Sequence, residues 1–449
     1  MSATNRNEDG GSYRLAAARE LDRVEKDDAF VGFARRGRGG DPAFERSVTD
    51  VVAGVTRLRR RLDFLIDSLY RGDPDGLESG VRTVLRIGLY ELLNTRTPAH
   101  AAINEAVETV RVYVHPRVTG LVNGILRSAS RRMDDLPTPD TGDRVRDLGL
   151  LYSHPDWIVR RWIERYGEEA AVRLMEHDNR RPRHGVHVRG DGTAVLDALR
   201  SEGVAWEESP LVADFIRVDS VQPLVRSGLL RRGDVRIQDE AAAMVVRVLD
   251  PQDGERILDL CAAPGGKTLL AAETAPRARV TAADLHAGRL DLVRTSAERA
   301  KLENVDLRVM DARTPDEELT GVFDRVLVDA PCSGLGVLSR RADLRWRRSE
   351  EDIADLVALQ DAIIDGAARC VAPGGLLVYA TCTLEPEENE RRVEAFLDRN
   401  DGFVRESCAP FIPDRLVDAE GDYLSLPFET GMDGAYAARL RRRVDAAES

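Results

Sequence analysis

Residues 256–268 read Arg256-Ile257-Leu258-Asp259-Leu260-Cys261-Ala262-Ala263-Pro264-Gly265-Gly266-Lys267-Thr268. A short apolar run closes on an acid, and small residues, a proline and a glycine pair follow before a helix-forming stretch. The pattern predicts a buried strand, a tight turn, and a helix whose first amides face any ligand lying on the turn. It is neither the G-x-G-x-x-G dinucleotide fingerprint nor the G-x-x-x-x-G-K-[ST] phosphate loop. A glycine pair alone is more often a plain turn, so the weight falls on what surrounds it.

Downstream, β-rich runs at 256–260, 279–283, 306–310, 325–328 and 376–380 alternate with helical segments. Such alternation predicts βαβ units and a mainly parallel sheet covered on both faces. Ligands of these sheets bind beyond the carboxyl ends of the strands, near the point where strand order reverses. The second run ends in Asp284, placed to accept from ribose hydroxyls; the third in Asp311, an acceptor for an adenine amino group; the fourth in Asp329, beside the glycine loop. Any one of these is more often a cap or turn residue. Acids closing three successive strands are not easily explained that way.

Upstream, 12–133 reads as helix throughout, with apolar residues at Val51, Val55, Leu58, Leu62, Leu65 and Leu69, then at Val81, Val84, Leu85, Leu89 and Leu92. The breaks carry turn formers, as in Gly72-Asp73-Pro74-Asp75-Gly76. This is a helical bundle. A polar, breaker-rich stretch at 134–143 reads as a linker. Residues 154–235 form a smaller mixed region, with a helix expected over 156–176 and strands at 185–188 and 215–218. The expected domains are therefore 1–143, 144–237 and 238–449, in keeping with a length of 449 residues.

No apolar run approaches the roughly 20 residues that span a bilayer, and the opening MSATNRNEDGG lacks the pattern of a secretion signal. A soluble cytoplasmic monomer is expected. Net charge is -13, which at first argues against a nucleic-acid partner, but residues 1–250 sum to only -1 and residues 351–449 to -11. Local basic clusters survive at 35–38, 180–189 and 340–348. Each is more often a solvated face than a phosphate contact. The cysteines at 261, 332, 370, 382 and 408 form no C-x-x-C pair, so neither a zinc site nor a disulfide framework is expected.

Two of those cysteines stand at strand ends. The fourth run continues into Asp329-Ala330-Pro331-Cys332-Ser333-Gly334-Leu335-Gly336, and the fifth into Ala380-Thr381-Cys382-Thr383, then Glu385-Pro386-Glu387-Glu388-Asn389. Neighbouring strands lie under about 5 Å apart, so both thiols are expected to face one cleft. Cys370 and Cys408 read as small core residues, and Cys261 as a backbone contributor to the loop.

The segments CAAPGGKT, DAPCSGLG and ATCTLEPEENE, with QDEAA at 238–242, resemble the RNA cytosine-5 methyltransferases of the NOP2/Sun/RsmB family over roughly residues 238–440. The resemblance implies a Rossmann-like class I methyltransferase domain of α/β type. It implies that Cys261, Ala262, Ala263, Pro264, Gly265, Gly266, Lys267, Asp284, Arg289, Asp311 and Asp329 bind S-adenosyl-L-methionine. It also implies that Cys382 is the catalytic nucleophile, that Cys332 assists release, and that no metal takes part. The bundle looks like an all-α NusB-type RNA-binding domain, by weaker motifs. Trp157-Ile158-Val159-Arg160-Arg161-Trp162, with Asn179-Arg180-Arg181-Pro182, resembles the α+β connecting region of family members that modify small-subunit ribosomal RNA. One departure is Gly185-Val186-His187-Val188-Arg189-Gly190, where relatives often carry an LRVN-like strand; the Asn is missing, so contacts it makes elsewhere do not transfer.

Carbon-5 of cytosine is a poor nucleophile, and a thiolate adding to carbon-6 makes it an enamine-like one. Asp329 is placed to hydrogen-bond the base. RNA is the expected partner, small-subunit ribosomal RNA in particular. The same chemistry on tRNA stays open, because the catalytic motifs do not separate the two. A non-catalytic RNA-binding factor is disfavoured by the intact cysteine pair, and a nicotinamide oxidoreductase by the missing phosphate-binding glycines.

Overall fold

The computed structural model describes residues 12–26, 41–190 and 192–444. The basic cluster at 35–38 lies outside the described residues. The chain divides into two compact units, one extending to Arg180 and including Leu338–Arg347, the other made of Arg181–Val337 and the chain from Arg348 on.

The first unit begins with helices α1 (Tyr13–Lys26), α2 (Pro42–Leu69), α3 (Ser79–Asn94), α4 (Ala99–Tyr113) and α5 (Thr119–Arg131). The apolar spacing read from the sequence supplies the core: Val48, Val51, Val55, Leu62, Leu65 and Ile66 of α2 are buried together with Val81, Val84, Leu85 and Leu89 of α3. Helix α3 is buried along most of its length, its Arg86 paired with Glu25 and Asp63. Its Glu91 is compensated inside the core by Arg14 Nε at 2.6 Å and Tyr13 Oη at 2.6 Å. Helices α6 (Arg144–Leu151), α7 (Asp156–Tyr166) and α8 (Glu168–Asn179) follow. The single helix expected over 156–176 is thus two, because Gly167 adopts φ +79° between them. A left-handed glycine stops a helix cheaply, and periodicity alone does not see it.

Within the basic cluster at 340–348, read as more often a solvated face, one arginine is not solvated at all. Arg345 is completely buried. Its guanidinium donates to the carbonyls of Ser153 (3.1 Å), Asp178 (3.3 Å) and Leu338 (3.4 Å) and to Asn179 Oδ1 (3.0 Å). Beside it, Trp346 Nε1 donates to the Thr56 carbonyl at 2.7 Å.

The second unit holds a small antiparallel sheet and a large mixed one. The small sheet is built of β1 (His184–Val188), β2 (Trp206–Glu208), β3 (Phe215–Val218) and β4 (Val235–Ile237), in the order β2-β3-β1-β4. The large sheet has β5 (Arg256–Asp259), β6 (Arg279–Asp284), β7 (Val305–Val309), β8 (Phe323–Asp329), β9 (Val371–Thr381), β10 (Phe403–Glu406), β11 (Tyr423–Ser425) and β12 (Ala435–Arg442). Its order is β10-β12-β9-β8-β5-β6-β7, with β11 on β12. Strands β5 to β9 pair in parallel, and β10 to β12 add an antiparallel edge that sequence reading missed. Strand β12 begins Ala435-Tyr436-Ala437-Ala438, a composition of low strand propensity, and burial between neighbours overrides it.

Both faces of the sheet are covered. Along β9, Leu376, Val378 and Ala380 pack into one core cluster, and Leu377 and Tyr379 into the other. The chain runs outward from β5 through β6 to β7, then restarts beside β5 with β8 and continues to β9. The reversal of order falls between β5 and β8, and their carboxyl ends carry the glycine loop and Asp329.

Candidate active site

The loop after β5 is shaped by what its neighbours leave room for. Gly265 has φ +106°, where a side chain would be strained, and a Cβ there would also crowd Val293 Cγ1 at 3.1 Å. Helix Gly266–Thr274 starts directly from it, leaving its first amides at the end of the strand. Below the loop, Asp259 is buried and accepts from Thr268 Oγ1 at 2.7 Å. Burial pushes its carboxyl up to about 7, the Thr268 bond opposing this in part.

A raised folded-state carboxyl means that the native protein holds a proton the unfolded chain releases. Stability is therefore greatest at acid pH in respect of this group and falls as pH rises from about 4 to 7. Asp259→Asn, neutral at every pH, is expected to flatten that fall and to raise the melting temperature at pH 8. Thermal melts across that range check it; parallel curves for the two proteins would contradict the assignment.

Asp284 closes β6 and is nearly buried. Its Oδ2 accepts from the Ala263 amide (3.3 Å) and lies 3.5 Å from Arg289 Nη1; its Oδ1 accepts from the His286 amide (3.1 Å). Arg289 in turn donates to the Ala263 carbonyl at 2.8 Å, so Asp284, Arg289 and the loop are one assembly. Asp311 lies two residues past the end of β7 rather than closing it, and is gripped by Arg313 through Nη2 at 2.6 Å. That side-chain bond from Arg313 holds its carboxyl below the ordinary range.

Asp329 closes β8, and its Oδ2 accepts from Lys267 Nζ at 2.6 Å. Burial works against the Lys267 charge, but Asp329 and the Cys382 sulfur outweigh it and hold the ammonium above its usual value. Cys332 Sγ and Cys382 Sγ are 3.3 Å apart, and the Cys382 amide donates to Cys332 Sγ at 3.4 Å. The hydrogen bond to Cys382, then burial, then the charges of Cys382 and Glu388 drive the Cys332 thiol far up. The close packing depends on Gly336: its amide donates to the Cys382 carbonyl at 3.1 Å, and a Cβ would sit 2.9 Å from that same oxygen.

A family model for the 16S rRNA methyltransferase RsmB/F matches residues 246–441; the NusB family matches 13–131, and an RsmF/B-like ferredoxin-like domain 154–224. The ribosomal RNA small subunit methyltransferase B of Cronobacter sakazakii is 35% identical over 399 residues, covering 87% of this chain and 89% of its own. The chain belongs to the RsmB/F methyltransferase family. A second relative of the same name, from Yersinia enterocolitica, is 34% identical over 416 residues, with 90% and 93% covered. The solved structure of PH0851 superposes with a TM-score of 0.76 at 26% identity, covering 96% of this chain and 98% of that one.

The RsmB/F architecture of NusB-like bundle, ferredoxin-like piece and Rossmann-like domain is the fold read from the sequence. Of the residues singled out there, Cys332, Cys382, Asp329 and Lys267 come together, and Ala263, Asp284 and Arg289 form the adjoining assembly. Cys261 stays apart in chemistry, its thiol pushed up by burial; Cys370 and Cys408 are buried in the core. Sequence reading passed over Gln238. Its Nε2 is buried without an acceptor and lies 3.6 Å from where a Cβ of Gly266 would be. The QDEAA motif was the available signal. Among the described residues no group of acids, histidines or cysteines could hold a metal, and no helix is long and apolar enough to cross a membrane.

Proposed function

We propose that this protein methylates carbon-5 of a cytosine in small-subunit ribosomal RNA, using S-adenosyl-L-methionine and a covalent bond from Cys382 to carbon-6. The observation that carries the reading is the 3.3 Å contact of two thiols just beyond the carboxyl ends of β8 and β9, next to the Lys267–Asp329 pair. The names of the relatives supply the substrate class.

The cofactor fits what the chain offers: a cradle of Ala262, Ala263, Gly265 and Gly266, the Gln238 Nε2 that lacks an acceptor, and acids at the ends of β6 and β8. Gly266 and Lys267 would hold its amino-acid end, Asp284 with Arg289 its ribose, and Asp311 its base. When bound, it supplies the methyl group.

The chain's own residues divide the remaining work. Cys332 keeps its proton and directs it toward the Cys382 sulfur 3.3 Å away, which adds to carbon-6. Asp329, anchored by Lys267 through Oδ2, directs its other oxygen to the target base. Once carbon-5 carries the methyl group, its proton passes to solvent, the C–H electrons restore the C5–C6 double bond, and the Cys382 sulfur leaves as a thiolate to which the Cys332 thiol donates a hydrogen bond. Residues 1–143 are assigned to RNA binding, 144–237 to the connection and 238–449 to catalysis, in a monomeric cytoplasmic enzyme. Full-length protein should accordingly lose RNA affinity as salt rises.

Bisulfite sequencing of RNA from a strain lacking the protein tests the reading: one small-subunit cytosine should lose protection. The cofactor assignment has its own test. Asp284→Ala removes charge-assisted hydrogen bonds of about 1.5–3 kcal/mol, roughly a ten- to hundredfold loss of affinity. Calorimetry with S-adenosylhomocysteine measures it, and unchanged binding by a folded variant would move the cofactor elsewhere.

A further inference from the structure

Glu388 is completely buried, and a charge held out of water needs strong compensation. Its side-chain partners are neutral donors of Ser333 and Gln360. Oε1 accepts from the Ser333 amide (2.8 Å) and from Gln360 Nε2 (3.0 Å), and Oε2 from Ser333 Oγ (2.5 Å). Gln360, also fully buried, donates in addition to the Pro331 carbonyl at 2.9 Å. Glu388 and Gln360 thus hold the residues immediately before and after Cys332.

The same network reaches the other cysteine. Ser333 Oγ lies 2.7 Å from Thr383 Oγ1. A carboxylate only accepts, so Ser333 commits its proton to Glu388, and Thr383 must donate to Ser333. The Glu385 amide then donates to Thr383 Oγ1 at 3.4 Å, which gives the chain one direction. Asn389, next to Glu388, accepts from Thr381 Oγ1 at 2.5 Å and donates to the Thr383 carbonyl at 3.1 Å, holding both neighbours of Cys382.

We propose that Glu388 is a positioning residue, whose carboxylate ties Pro331 and Ser333 to Thr383 and so sets the contact between Cys332 and Cys382. The inference rests on the reading of those two cysteines as nucleophile and proton carrier. It gives the acidic tail of the ATCTLEPEENE motif a physical role, since a buried anion orders a line of hydroxyls that no apolar residue could orient. The Glu388 charge also helps keep the Cys332 thiol protonated, behind the hydrogen bond to Cys382 and burial.

Glu388→Gln in the full chain tests this, because glutamine keeps the shape but must turn an NH2 toward one of the donors. The turnover number on target RNA should fall about ten- to hundredfold, the cost of a misplaced reacting group. The Michaelis constant for RNA and the affinity for S-adenosylhomocysteine should stay within about twofold. The pH at which iodoacetamide alkylates Cys332, followed by peptide mass spectrometry, should move downward. Glu388→Asp should restore that pH without restoring the rate, since it returns the charge but not the reach. Should Glu388→Gln fail to fold, Ser333→Ala removes the hydroxyl link alone and should show the same loss of turnover with unchanged cofactor binding. Unchanged turnover in folded Glu388→Gln overturns the proposal. So does a general loss of stability, cofactor binding and turnover with the Cys332 alkylation pH unmoved. If the wild-type protein formed no adduct through Cys382, the reading of the reaction would fall, while the alkylation comparison would still decide whether Glu388 positions the thiols.

Discussion

Cys382→Ala is expected to abolish methyl transfer and to leave no covalent RNA–protein species, whereas Cys332→Ala is expected to accumulate one. The asymmetry follows from the site. Addition to carbon-6 and methylation at carbon-5 form bonds only to the Cys382 sulfur and the incoming methyl group, but elimination breaks the carbon–sulfur bond, and the departing sulfur lies 3.3 Å from the Cys332 thiol. Cys332 is also the thiol whose proton the site retains. Without it the adduct forms and persists, visible as a denaturant-resistant shifted band on a gel. If Cys332 served only to pack the turn after Pro331, its alanine variant would lose some stability and show no shifted band. A band from Cys382→Ala, with none from Cys332→Ala, would reverse the two assignments.

Arg345→Ala should destabilise the first unit by about 3–5 kcal/mol, the usual result of removing one partner from a buried charged network. The guanidinium is pushed down to about 10 by burial, with Asp178 opposing, so it remains charged at neutral pH. Truncation would strand the carbonyls of Ser153, Asp178 and Leu338 and take the guanidinium charge away from the buried Asp178. A lower melting temperature, on the order of 10 °C, is the expected readout. Arg341, half exposed in the same basic run, provides the comparison: its alanine variant loses a 3.8 Å ion pair to Asp343 and should cost well under half as much. If Arg345→Ala instead left the melting curve unchanged and weakened RNA binding, the residue would be a phosphate contact after all.

The contrast between those arginines shows where sequence reading reaches and where it stops. The placement of the glycine loop, Asp284, Asp329, Cys332 and Cys382 was legible because each stands at or after the end of an apolar run, and strand ends in a parallel sheet converge on one edge. The helices α1 to α5 were legible from their period. Gly167 was not, since a glycine inside an amphipathic pattern reads as tolerated until its φ is known. Strand β12 was hidden by its alanines. Arg345 was hidden by its neighbours in the chain, because a run of arginines looks solvated whichever member is buried. The Ser333–Glu388 network pairs residues 55 apart, and nothing local in either segment announces the other.

The most direct test of the central claim uses target RNA in which 5-fluorocytidine replaces cytidine, so that the group on carbon-5 does not leave as a proton would. Incubation with the wild-type protein and S-adenosylmethionine, then protease digestion and mass spectrometry, locates the modified peptide. The account predicts a denaturant-stable complex whose nucleotide is attached to Cys382. Attachment at Cys332, or methylation of cytidine RNA by a protein that never forms an adduct with the fluorinated one, would contradict it.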